Sequence, residues 1–454
     1  MINLSIKVFT LDAPESFQNR YVEKLRLDRE ESMAVIAEQI TTLCVSLGEC
    51  PSIRYRAIDS QNYNRELSEM IEKRLESYKK DEPEIGDGKE KEKSTLLIID
   101  RGFDCISPLL HELTLQAMAY DLLPIVNDVY EYQADNRLKE VILDEKHELW
   151  RKLRHDHIAV VPGKVKKEMM DFNNKKGKKD VINVEKPTVG NLGAMIKNIP
   201  MEQKKLSNFA LNMNLVGECM TIYEEYMKEL CTVEQDLAMG ETSSGDKVKE
   251  LLPQSVVKIL LNSHISNMDK VRILALSVMN MGGVSEDNFL KILRHAMIEE
   301  DQDIIRNLEQ LGINIIRKPN AFRNQFKIPQ RERNDNPYTT SRWTPLVKYI
   351  MEDAMDEKLD TKQYPYLTEP TKKSSHLVAT SARFGNWNKS QTVVKNCPRL
   401  IIFIIGGVTY SEMRCAYEAA DKCKTWEVIL GSSHILTPEI FLSDLKSITE
   451  SNFF

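Results

Sequence analysis

The chain has 454 residues, 42% hydrophobic and 29% charged, with a net charge of -6. That hydrophobic content is enough for two or three packed domains, and the acidic balance argues against nucleic acid as a general partner. The longest apolar run, Leu400 to Val408, falls far short of the ~20 residues a membrane-spanning helix requires. The eight cysteines form no CxxC pair, and the N-terminus has no long apolar stretch. They read as reduced thiols of a cytosolic protein, not as a disulfide frame or a zinc site.

In chain order, the first hundred residues alternate. Asn3 to Phe9 reads as a strand, Glu31 to Leu47 as a helix, Ile53 to Ile58 as a strand and Asn64 to Lys80 as a helix. Lys79 to Lys93 has no apolar periodicity and reads as a solvated loop, and Thr95 to Asp100 ("TLLIID") is a strand. After it, Ser107 suits a helix cap and Pro108 a first helical position. Leu109, Leu110, Leu113, Ala117, Met118 and Leu122 then recur at helical spacing. A long, mostly helical stretch runs from about Ile106 to about Leu359. Thr368 to Pro398 is rich in Ser, Thr and Lys and reads as a mobile loop. The last sixty residues return to alternation: strand "PRLIIFIIGG", a helix opened by Ser411, strand "WEVILG", and a helix with Thr437 as cap and Pro438 in its first turn.

Strands alternating with helices predict a parallel sheet covered by helices. The fold class expected is therefore α/β: a parallel-sheet domain assembled from both ends of the chain, residues 1–105 and 360–454. A mostly helical domain, 106–359, is inserted in it, with a long hairpin near 160–240.

Four places invite an enzymatic reading. Asp100, Arg101 and Gly102 form a strand-end corner of the kind that holds ligands, but a local ion pair explains them without one. Gly406 and Gly407 precede a helix, as in phosphate-binding turns, yet neither GxGxxG nor GxxxxGK[ST] is present. Ser432, Ser433 and His434 lack a GxSxG elbow, and adjacent residues do not normally reach nucleophile–base geometry. His147, His155 and His157 lie near one another without an HExxH pattern. None of these requires catalysis, and no cofactor or metal is called for.

The stretch Pro200 to Gly240 is harder to reduce to core. Leu206, Phe209, Met213, Val216, Met220, Tyr223, Met227 and Leu230 are spaced alternately three and four apart, a seam for packing against another helix. Pro200 interrupts the helical pattern, and the Lys-rich segment Lys164 to Asn191 reads as a hairpin tip. A helix of roughly forty residues spans about 60 Å, more than one compact domain covers, so part of the seam is expected to receive a partner helix. Met220 and Met227 are expected to be core.

Five segments together resemble the SM (Sec/Munc, syntaxin-binding) family: "LLIIDRGFDCISPLLHELTLQAMAYDLLPI", "VEQDLAMG", "SRWTPLVKYIMEDAMDEKLDTKQYPY", "LIIFIIGGVTYSEMRCAYEAA" and "WEVILGSSHILTP". They are most similar to its exocytic, plasma-membrane branch. The resemblance implies a non-enzymatic chaperone of SNARE assembly that binds syntaxin and a vesicle SNARE, acts as a monomer and binds no nucleic acid. It implies a cytoplasmic protein recruited to the plasma membrane or vesicle docking sites through SNAREs. It also implies that the family's first domain, which takes the syntaxin N-terminal peptide, is missing here. That leaves open a truncated product with weakened syntaxin binding, or an enzyme using the Asp100 or Gly406 corner. By position, Pro200 would be the family's hinge proline, and vesicle-SNARE contacts would fall near Met213 and Leu215.

Overall fold

Two runs of β-branched and leucine side chains, Thr95–Asp100 and Arg399–Ile405, lie side by side at the centre of a parallel sheet. The computed structural model describes residues 7–22, 26–57, 62–86, 93–134, 137–182, 189–317, 330–331, 338–368, 397–423 and 425–450. In spatial order the sheet runs Val8–Thr10, Glu427–Ser432, Arg399–Ile405, Thr95–Asp100, Ser52–Tyr55, every neighbouring pair parallel. Strand side chains alternate between faces. Leu97, Ile99, Ile402 and Ile404 therefore pack on one side with Val347, Met351 and Ala416, and Leu96, Ile98, Ile401 and Phe403 on the other with Ile36, Ile40, Leu67 and Ile71. Continuous apolar strands covered on both faces are what a parallel sheet demands. At one edge Phe9 lies over Gly431, where an added Cβ would come within 2.1 Å of the ring, so a larger residue there would displace Phe9.

The chain divides into two compact units. One comprises 1–104, 345–435 and 447–454; the other comprises 105–344 and 436–446. The main segment of the helical unit thus ends at Thr344 and not at 359, because the helix Leu346–Met355 buries Val347, Ile350 and Met351 in the core of the sheet unit, and 436–446, expected in the sheet unit, groups with the helical one. Two helix starts also differ from expectation. Tyr410–Lys422 is opened by Thr409, not Ser411: the Thr409 hydroxyl accepts from the Glu412 amide while the Glu412 carboxylate accepts from the Thr409 amide. No long helix follows the corner at Asp100. Ser107–Leu109 is a single 3-10 turn, and the helix begins only at Leu115. Side chains have taken the backbone there. Arg272 donates to the Leu109 carbonyl at 2.7 Å, the His111 amide donates to Glu234 at 3.0 Å, and the Ser107 hydroxyl accepts from the Trp343 indole. Thr437 does cap Pro438–Glu450 as expected, accepting from the Ile440 amide. The loop read at Thr368 to Pro398 lies, apart from its ends, outside the described residues.

In the helical unit, the helix Val161–Ile182 takes up most of the Lys-rich segment read as a hairpin tip. Pro162 and Gly163 sit in its first turn, where they do little harm, and lysine is a good helix former. The turn itself, 183–188, lies outside the described residues. The return helix Val189–Ile222 runs unbroken through Pro200, so the expected interruption is absent: one proline removes one i→i−4 bond from a helix of 34 residues. A π turn, Tyr223–Met227, leads into Lys228–Met239, which ends at Gly240 with φ 70°. Phe172 and Phe209 meet edge-on across the two long helices, at 6.2 Å between centroids.

Candidate functional site

At each place with enzyme-like residues, most polar groups are engaged by neighbouring protein atoms. Asp100 accepts from the Tyr21 hydroxyl at 2.9 Å, Arg56 at 2.8 Å and the Asn64 amide at 3.0 Å, with Arg20 at 3.8 Å. Burial works against its charge, but Arg56 and Arg20, helped by Asn64, outweigh it and hold the carboxyl down at about 2. Arg101, fully buried, makes a fork-on-fork pair with Glu412 at 2.9 and 2.6 Å and donates also to the carbonyls of Gly407 and Asp104. At the second corner Gly406 and Gly407 adopt φ of 90° and 97°. Their two amides, which a phosphate would need, donate to the Ser433 hydroxyl at 3.1 Å each.

Ser433 corrects one expectation: it does reach its neighbour, with 3.0 Å between its hydroxyl and His434 Nδ1. The pair is buried and the serine oxygen already accepts two amides, which lowers its nucleophilicity, so adjacency is met without a triad. The three other histidines are engaged separately. His147 contacts Asp144, His155 accepts from Arg154, and His157 accepts from the Ala159 amide while stacking on Tyr338 at 3.7 Å.

The charged cluster that sequence reasoning missed is in the helical unit. His111 Nδ1 lies 2.8 Å from Glu234, and its Nε2 lies 3.0 Å from the Arg272 guanidinium. A guanidinium only donates. Nε2 is therefore the acceptor, and Nδ1–H donates to Glu234. Cys231 completes a His–Cys–Glu triplet with ligand atoms within 4.8 Å of one another. A metal does not suit it: Arg272 occupies the lone pair of His111, and burial pushes the Cys231 thiol up, away from thiolate. The cluster is a buried structural network, and its sequence signal was "VEQDLAMG". The next two residues of that motif are structural too. Gln235 accepts from the amides of Arg342 and Trp343, and Asp236 pairs with Arg342, tying the motif to "SRWTP".

The open surface is elsewhere in this unit. The antiparallel hairpin Val129–Ala134 and Arg137–Ile142 stands beside the long helix, and a groove of about 480 Å³ separates them. Glu131, Gln133 and Leu138 line it from the hairpin, and Met213, Gly217 and Glu218 from the helix. Met213 is 43% exposed and Leu138 is 64% exposed. Leu215, expected beside Met213 as a contact, is fully buried with Leu211, Cys219 and Trp150, so it is corrected to core. Two residues along a helix turn a side chain by roughly 200°, so the two cannot share a face. Met227 is buried and Met220 half-buried against the same core. Pro200 lies on the helix's outer part; only its backbone is described. Among the described residues no helix is long and apolar enough to cross a membrane.

Comparison with known proteins converges on one family. The model of the Sec1 family matches residues 1–444. The chain is similar to "Protein transport protein sec1" of Dictyostelium discoideum, 27% identical over 93% of this chain and 72% of that protein. It is similar also to the Schizosaccharomyces pombe protein of the same description, 28% identical over 91% of this chain and 61% of the relative. Among solved structures it resembles the Unc18–syntaxin 1 complex from Monosiga brevicollis, with a TM-score of 0.79 and 28% identity over 97% of this chain and 75% of that one.

Proposed function

This chain belongs to the Sec1 family, and on that premise we propose that it is a SNARE-binding regulator of vesicle docking and fusion, with no catalytic step of its own. Its relatives carry the name of protein transport factors, and the similar solved structure was determined with syntaxin 1. The observation that carries the reading is the groove beside Met213. Its walls are a hairpin and a long helix, the exposed apolar side chains Leu138 and Met213 stand in it among polar neighbours, and Leu206 on the same helix is exposed too. Such a surface suits an amphipathic helix laid along it.

The groove also has a charge preference. Glu131 and Glu140 stand directly opposite each other on the exposed face of the hairpin, and Glu218 lines the groove. Like charges paired across strands are destabilising, and a partner bringing lysine or arginine relieves them. Met213 is the contact residue in this reading. Leu215 holds the helix to its core, and Pro200 marks where the outer helix is held by one bond fewer. The protein works from the aqueous side and reaches the plasma membrane or docking sites through its SNARE partners.

Isothermal titration with cytoplasmic segments of a syntaxin and of a vesicle SNARE tests the reading. Saturable binding of at least one, competed by the other or by the assembled bundle, is expected. Heats indistinguishable from dilution with both segments, from a protein that melts cooperatively, would overturn it.

A further inference from the structure

A second groove in the helical unit shares no lining residue with the one beside Met213. It lies between the helices Gln254–Leu261 and Glu286–Ala296 and encloses about 300 Å³. Its floor is Leu252, Val257, Leu260, Ile292 and Ala296. Leu261 borders it at 62% exposure, and Met297, one residue past its end, is 79% exposed. Met297 has φ 57°, a left-handed conformation that a methionine adopts only at a cost. Large apolar side chains presented this way mark an interaction surface more often than a bare exterior.

Charge and backbone chemistry narrow the occupant. Lys291 and His295 are the titratable side chains that line the groove, and no carboxylate lines it. His295 Nδ1 is engaged with the Lys291 carbonyl at 2.6 Å, which leaves Nε2 for another partner. Lys258, exposed on the helix of the opposite wall though not lining the groove, adds to the positive charge. Both walls are helices and present no strand edge. An extended segment would find no ladder of backbone partners there, whereas a helix brings its own satisfied. The eight-residue wall is about 12 Å long, room for two turns of a partner helix. We propose that this groove binds a protein helix with an apolar stripe at i, i+4 and i+7 flanked by aspartate or glutamate, as a docking point separate from the SNARE groove.

The test uses a displayed library of helical peptides, apolar at the three stripe positions and free to carry Asp, Glu, Lys or Gln beside them. It is selected on the full chain and counter-selected on Leu261→Glu. Leu261 and Lys291 are both exposed, so neither variant should disturb the melting curve. Acid-flanked sequences should be enriched, and the best synthetic peptide should lose about tenfold in affinity on Lys291→Glu and bind more weakly as salt rises. Lack of enrichment over the counter-selection, or enrichment of basic flanks, would overturn the proposal. So would two other occupants: a concentration-dependent dimer abolished by Leu261→Glu, or binding to phosphatidylserine vesicles abolished by it while no peptide is selected. Because the SNARE groove is untouched by either variant, syntaxin and vesicle-SNARE binding should persist, which separates failure here from failure of the proposed function.

Discussion

Met213 and Leu215 are two residues apart on one helix and should respond to truncation in opposite ways. Leu215 is 0% exposed, among Leu211, Val216, Cys219 and Trp150. Leu→Ala at such a site costs about 2–5 kcal/mol, through lost transfer energy and the cavity left behind. In a unit of this size each kcal/mol lowers the melting temperature by roughly 2–4 °C, so Leu215→Ala should lower it by roughly 4–20 °C. Met213 is 43% exposed on the groove rim. Methionine and alanine are both good helix formers, so Met213→Ala should change stability by less than about 1 kcal/mol. If it anchors a partner helix, the same truncation should cost about 1.4 kcal/mol of binding, a tenfold rise in Kd. Differential scanning fluorimetry and fluorescence anisotropy with a labelled vesicle-SNARE segment, both on each variant, give the comparison. The reasoning fails if Met213→Ala binds within twofold of the parent, or if its melting temperature falls as far as that of Leu215→Ala.

Four further outcomes follow from the same structure. Glu131→Gln with Glu140→Gln should stabilise the hairpin by about 0.2–1 kcal/mol while weakening SNARE binding and flattening its salt dependence, seen by denaturant titration and anisotropy. Acid should loosen the sheet unit: Asp100 and Glu418 both sit at about 2, held below their ordinary values against burial by Arg56 and Arg20, and by Arg414 and Lys348. Depressed carboxyls contribute stability above their unfolded pKa and lose it as pH falls to the folded one. The melting temperature should therefore drop between about pH 4.5 and pH 2, with Asp100 contributing on the order of 2.5 kcal/mol. Arg101→Gln should cost about 3–5 kcal/mol by stranding the buried Glu412, and Arg101→Met with Glu412→Leu should recover only part of it, because the capping bond to the Thr409 amide is lost as well, by chemical denaturation. Pro200→Ala restores one backbone bond to a helix that is already continuous, so limited proteolysis of the outer helix should slow while SNARE affinity changes little.

The sheet was legible because its signal is local. Leu96 to Ile99 and Leu400 to Ile405 are apolar on both faces, and that pattern belongs to a buried parallel strand whatever the rest of the chain does. The turn-to-helix stretch after Asp100 was misread for the opposite reason. Leu109, Leu110 and Leu113 are buried at helical spacing, but Arg272 and Glu234, far away in sequence, take the backbone groups a helix would have used. Leu215 was misplaced because it was set beside Met213 by position in the family alone, whereas two residues along an α-helix face in nearly opposite directions. The seam itself does not stay on one face. The five-residue π turn at Tyr223–Met227 shifts the register, so Met227 and Leu230 continue the buried stripe that passes through Leu215 and Cys219, while Leu206 and Met213 of the seam are left facing out.

The same long-range bonding explains why an enzyme-like corner can be architecture. At Asp100 the acid is ionised, at Gly406 two amides point the same way, and at Ser433 a hydroxyl meets an imidazole. Each feature also occurs in catalytic sites. What a ligand needs is unspent hydrogen-bonding capacity, and here most of it is spent. Asp100 takes four neighbours, and the paired amides are capped by Ser433. Arg101, which could clamp a phosphate, is locked to the carboxylate that also closes the capping box at Thr409. A single glutamate thereby fixes the end of one strand to the start of the helix after another. Substituting Glu412 should loosen both at once, as one structural event.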